Sequence, residues 1–283
     1  KNKIKVIADP NLNNLFVSEN LRISNGKCGN WKSRLRIIAS ENNNKNSVEF
    51  SGGFSRHCNE KEIDLAILDQ SHYFFEIFKD LWNKNGGFFD GSYRKEYKED
   101  LSKRHLCTHF SRPLSELIRD VNKYSLNLMA RNLMLTVIKE KKDVQPTEDM
   151  VNTYIQTWLK EKGLPHKGLY IDNGAGLSRK IQISVNQLLL ILQNIYNDPF
   201  MPEMIASFPI ASIDGTLKNK MKKTKFSRNG HFKTGSLKNV VGIAGFFLSD
   251  TKEMKAFVFM MNHKQAKNAQ PFIEDLIDLT FLN

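Results

Sequence analysis

A 283-residue chain with 40% hydrophobic and 25% charged residues can bury a sizeable core, enough for about two structural units. Its longest apolar stretch, Val240 to Leu248, is far too short to span a membrane. The 42 Lys and Arg against 30 Asp and Glu leave a formal net charge of +12, which admits nucleic acid, an anionic membrane surface or an anionic polymer as partner.

The cations are scattered, however, with runs only at Lys139–Lys142 and Lys218–Lys225, and no zinc-finger, RNA-recognition or basic-plus-heptad signature accompanies them. The plain reading is a solvated surface rich in Lys and Asn. The chain begins at Lys1 rather than Met, so the expectation is that it belongs to a longer protein whose N-terminal part carries any export signal. Cys28, Cys58 and Cys107 lie too far apart in sequence for a chelating pair, and no metal or cofactor is expected. Free buried thiols are the simplest expectation. In an exported protein Cys28 and Cys58 would instead be bridged, Cys107 staying free, and a loop of that length contributes about 3–4 kcal/mol.

In chain order, residues 1–97 read as β-rich, with short strands expected at Val17–Ile23, Trp31–Ala39 and Ser47–Phe54. A helix follows from Ser71 to Asn83, with Phe74, Phe75, Phe78, Leu81 and Trp82 at helical spacing, and stops at a Gly pair. From about Asp100 the character changes to helices. Ser111 is the expected N-cap of the first, with Pro113 in its first turn. Further helices are predicted over Leu126–Lys141 and Thr147–Lys162, then one opened by a capping box, Ser184 to Gln187. A long apolar run, Phe232–Leu248, reads as strand broken at "KN" and at a Gly, followed by a turn, a strand over Met254–Met261 and a closing helix from Gln270.

Three short pieces of the second part carry chemistry together. Ser125-Leu126-Asn127 sits between two helices, Asp172 to Ser178 spells Asp-Asn-Gly-Ala-Gly-Leu-Ser, and Lys233-Thr234-Gly235-Ser236 opens the terminal strands. Taken singly, each has a plain structural reading: a helix cap, a glycine loop, a turn. In this order, Ser-x-Asn and Lys-Thr-Gly are the second and third signature elements of penicillin-recognising serine enzymes, whose first is Ser-x-x-Lys.

The stretches "SRPLSELIRDVNKYSLNLMARNL", "DNGAGLSR", "IDGTL" and "FKTGSLKNVVGIAGF" resemble the D-alanyl-D-alanine carboxypeptidase/endopeptidase family of the DacB type, the class C low-molecular-mass penicillin-binding proteins. "CGNWKSRL", "FSGGFSRHC" and "LWNKNGGFFDG" are similar, less specifically, to that family's inserted domains. The resemblance implies an α+β transpeptidase-type fold, helices on an antiparallel sheet, over 98–283, with 1–97 belonging to β-rich accessory domains. It implies periplasmic action on peptidoglycan stem peptides by acyl-enzyme chemistry, with β-lactams as inhibitors and no nucleic-acid partner. Peripheral membrane association is compatible with so basic a chain, and the sequence does not reveal an oligomeric state.

The roles implied are as follows. Ser125 relays a proton between the base and the leaving nitrogen, and Asn127 hydrogen-bonds the substrate amide and the catalytic lysine. Lys233 attracts the substrate carboxylate and orients the Ser125 hydroxyl. Thr234 and Ser236 offer hydroxyls to that carboxylate, and the Ser236 N–H is one of two oxyanion donors. Gly235 lets the strand lie close to the helix bearing the nucleophile. Two departures stand out. Leu126 occupies a position where the family often has Asp or Asn, and the Ser-x-x-Lys segment is expected upstream of the chain. Ser92-Tyr-Arg-Lys95 and Ser249-Asp-Thr-Lys252 match its spacing, but neither opens an amphipathic helix that would put serine and lysine on one face. The 283 residues alone are therefore expected to be inactive. The rivals are a non-catalytic peptidoglycan- or penicillin-recognising scaffold and, more remotely, a basic nucleic-acid-binding protein.

Overall fold

Leu35 and Ile37 face inward between exposed neighbours, and Val48 and Phe50 are buried on either side of Glu49; this period of two sets the first sheet. The computed structural model describes residues 3–42, 45–96, 104–142 and 144–281. They form two compact units, Lys1–Leu106 and Cys107–Asn283. The boundary expected at residues 97 and 98 lies outside the described residues.

In the first unit, β1 (Leu15–Ser24), β2 (Leu35–Asn42) and β3 (Lys45–Ser55) form a sheet of order β1-β3-β2. β3 pairs parallel with β1 and antiparallel with β2. The strand expected from Trp31 starts only at Leu35. Trp31–Arg34 is a 3-10 turn, entered through Gly29 at φ +47 and closed by a Trp31 N–H bond to the Gly29 carbonyl. Cys28 and Cys58 are bridged with Cα atoms 4.9 Å apart, and the free Cys107 is exposed, so the simple expectation of buried thiols is corrected on all three. Helix α1 (Gln70–Lys84) is capped by Asp69, whose carboxylate accepts from the N–H groups of Ser71 and His72. Its Phe75 and Phe78 pack edge-on to Phe89 at 5.9 and 5.7 Å between ring centres.

The second unit is α+β. Five helices come first: α2 (Leu114–Tyr124), α3 (Asn127–Lys142), α4 (Glu148–Glu161), α5 (Val185–Tyr196) and α6 (Met201–Ser207). Then β4 (Gly230–Leu237), β5 (Val240–Leu248) and β6 (Met254–Asn262) form an antiparallel meander, closed by α7 (Gln270–Phe281). The capping box at Ser184 and Gln187 is made as the sequence implies. Ser111 is not the cap of α2. Pro113 is, at φ −52 and ψ 147, while the Ser111 hydroxyl turns to the Arg112 carbonyl. Arg112 precedes a proline and is disfavoured in the helical region, so the helix cannot open at Ser111 and starts later than the Ser signal suggests.

Side chains of the meander alternate between two cores. Phe232, Ile243 and Phe247 meet Ile273 and Ile277 of α7 on one face. Phe246, with Ala244, Ala256 and Val258, meets Leu192 of α5 and Ile205 of α6 on the other. Each fully buried Phe or Ile is worth about 1.5–3 kcal/mol relative to exposure. The glycine expected to break the long strand does not. β5 runs through Gly245, where a Cβ would stand 2.1 Å from the His231 carbonyl oxygen, so glycine there permits close approach of β4. The break comes at Lys238-Asn239, with Asn239 at φ 66. In the basic run, Lys218, Lys220, Lys222, Lys223 and Lys225 are exposed while Met221 and Thr224 anchor the loop inside.

Candidate active site

The C-terminal end of α2 and the edge strand β4 build the site. α2 does not end in glycine. Ser125 takes its left-handed terminal position at φ 57 and ψ 50, and the Leu126 N–H closes the turn on the Val121 carbonyl at 3.1 Å. That conformation costs a residue with a Cβ about 1–2 kcal/mol. It turns the chain sharply between two helices, leaving Ser125 half-buried and Asn127 as the first residue of α3.

Lys233 meets Ser125 across 108 positions of sequence, its Nζ donating to the Ser125 hydroxyl at 2.9 Å. It also donates to the Thr234 carbonyl at 3.3 Å. Burial pushes the Lys233 ammonium below its ordinary pKa. The strand register puts Lys233 beside Ala244 and Gly235 beside Gly242, both on the face that packs against α5 and α6. Thr234 and Ser236 lie on the opposite face of the strand, beside Ile243 and Val241. A Cβ at Gly235 would meet no atom within 4 Å among the described residues, so close packing against this chain does not explain that glycine.

β4 is an edge strand, and its outer edge is only partly covered. The Phe232 N–H bonds outward to the Pro209 carbonyl, away from β5. Amides of one strand alternate in direction with a period of two, so the Thr234 and Ser236 N–H groups face the same outer edge. Asn127 stands two residues from Ser125, half-buried, and no hydrogen bond joins it to Lys233 among the described residues. The Asp172–Ser178 loop is held by Ser178 donating to Asp172 Oδ2 at 2.5 Å and by Gly174 lying against Met134 of α3.

Of the two chance Ser-x-x-Lys matches, Ser92 to Lys95 lies in irregular chain and Ser249 to Lys252 in the turn between β5 and β6. Among the described residues, no three His, Cys, Asp or Glu side chains gather as a metal site. Sequence reasoning passed over an ion pair two residues before Ser125: the buried Lys123 donates to Oδ2 of the half-buried Asp214 at 2.5 Å and to the Phe208 carbonyl at 3.0 Å. The only signal was that "IDGTL", which holds Asp214, stood among the family-like stretches.

The profile of the D-Ala-D-Ala carboxypeptidase 3 (S13) family matches residues 2–280. The chain is 25% identical over 231 residues to D-alanyl-D-alanine carboxypeptidase DacB of Haemophilus influenzae, covering 81% of this chain and 47% of that protein. It is 28% identical over 227 residues to penicillin-sensitive carboxypeptidase A of Dictyostelium discoideum, covering 76% and 42%. It thus spans about half the length of these curated relatives or a little less. The crystal structure of penicillin-binding protein 4 from Haemophilus influenzae, complexed with a β-lactam, shares the fold at a TM-score of 0.74 and 21% identity, over 95% of this chain and 64% of that one.

Proposed function

The chain belongs to the D-Ala-D-Ala carboxypeptidase 3 (S13) family, and from that premise we propose that it is the C-terminal part of a periplasmic serine-type D-Ala-D-Ala carboxypeptidase/endopeptidase acting on peptidoglycan stem peptides. The observation that carries the reading is the 2.9 Å contact between Lys233 Nζ and the Ser125 hydroxyl, made by two motifs with no shared local role. The first unit supplies accessory domains, and the nucleophile comes from a Ser-x-x-Lys segment outside these 283 residues.

In the reaction, the hydroxyl of that serine adds to the carbonyl carbon of the scissile bond while the base lysine takes its proton. The oxyanion rests on the Ser236 N–H and a second donor from the nucleophile's own turn. As the C–N bond breaks, Ser125 passes a proton to the leaving amine, and the terminal D-Ala departs. Water then hydrolyses the ester. Lys233, Thr234 and Ser236 hold the terminal carboxylate, Asn127 the amide of the stem, and the free edge of β4 accepts the extended peptide as an added strand. A β-lactam follows the same first step and stays attached, which makes it an inhibitor.

The test is release of D-Ala from a synthetic stem pentapeptide by the intact protein. Turnover that falls by about 10²-fold or more in Ser125→Ala is the expected result. An intact protein that binds the peptide without releasing D-Ala would instead be the scaffold of the rival reading.

A further inference from the structure

We infer that the buried Lys123, through its ion pair with the half-buried Asp214, is a positioning residue that fixes the Ser125 hydroxyl against Lys233. The inference rests on the acyl-transfer reading above for its catalytic consequence, and on geometry alone for its structural one.

Ser125 and Lys233 belong to elements that share no direct ladder, so something must set their spacing. The segment from Phe208 to Asp214 lies between them and is bonded on both sides. Toward β4, the Ala211 N–H donates to the Gly230 carbonyl at 2.8 Å, the Phe232 N–H donates to the Pro209 carbonyl at 2.9 Å, and Ile210 bridges His231. Toward α2, Lys123 donates to the Phe208 carbonyl and to Asp214, one at each end of the segment. Asp214 is itself aimed by its second oxygen, which accepts the Ile210 N–H at 2.7 Å.

Two further contacts bring α2 down onto this strip. Asn122 donates to the Ser207 hydroxyl at 2.7 Å. At Gly215, at φ +52, a Cβ would stand 2.5 Å from the Lys123 carbonyl oxygen, so only glycine lets the backbones come this close. The reacting groups stand just beyond the staple on either side: Ser125 two residues after Lys123, Lys233 two residues after His231. Lys123 is only 9% exposed and has no role at the reacting atoms. Its amine spans the gap between α2 and the strip, and the left-handed turn at Ser125 begins where that grip ends.

The test uses two variants, Lys123→Met, which keeps the side-chain volume, and Asp214→Asn, which keeps the shape. Crystal structures of the variant chains should show the Ser125 hydroxyl beyond hydrogen-bond reach of Lys233, a readout that needs no activity. In the intact protein, acylation by a fluorescent penicillin should fall by about 10²-fold while its reversible binding is unchanged, since misplacement of a reacting group by about 1 Å has that effect. An undisturbed Ser125–Lys233 contact in either folded variant, or a full acylation rate, overturns the inference. If Lys123→Met does not fold, Asp214→Asn decides on the same two measurements. If the unaltered intact protein is not acylated at all, the proposed function fails, and the crystal structures still decide the positioning role separately.

Discussion

Lys233 is half-buried and donates to a hydroxyl and a carbonyl, both neutral acceptors. Its charge is penalised by burial, which lowers its pKa. The sign of the consequence follows. Below its folded pKa the lysine is charged in both states and the fold bears the full penalty. As pH rises from that value to the ordinary lysine value, the folded protein gives up the proton first, and this group's contribution to stability improves. Under the proposed function catalysis runs the other way, because a substrate carboxylate would need the ammonium. Penicillin acylation of the intact protein should therefore decline at alkaline pH with an apparent pKa below the ordinary lysine value. Lys233→Met should cost about 10²-fold or more in acylation without lowering the melting temperature at neutral pH. A melting temperature that falls in step with acylation would mean that Lys233 serves the fold rather than the substrate.

The elements that hold these residues differ in how far their sequence declares them. β5 is written as a continuous apolar run with two glycines, and the role of Gly245 becomes visible only when β4 is laid beside it. Gly245→Val would drive a side chain into the His231 backbone, and thermal or urea unfolding should show a loss of about 1–3 kcal/mol or more. No change would mean that the two strands are less tightly apposed than described. The helix α5 was legible to the residue because a capping box is a local signal. The seven-residue α6 was not, since two turns carry too few apolar repeats to stand above chance, although Pro202 marks its start. Ser125 was readable as part of a motif, yet its left-handed turn at the end of α2 was not, because serine there defies the usual glycine preference. The Lys123–Asp214 pair spans 91 positions, and no local pattern announces a lysine that folds inward.

At the scale of the molecule, the order of two weak motifs carried more than either alone, and it led to the family that matches nearly the whole chain. The Cys28–Cys58 bridge in the first unit closes a 30-residue separation, worth about 3–4 kcal/mol by loop entropy, and suits an exported protein. The central claim is a division of labour: Ser125, Asn127 and Lys233 recognise the substrate and move protons, while a serine elsewhere in the intact protein forms the covalent bond. The measurement that tests this most directly is labelling with fluorescent penicillin followed by peptide mapping, on the intact protein and on the 283 residues alone. The account predicts a single adduct in the intact protein, on the serine of a Ser-x-x-Lys segment outside residues 1–283, and no stable label on the isolated chain. A stable adduct mapped to Ser92, Ser125 or Ser236 would contradict it.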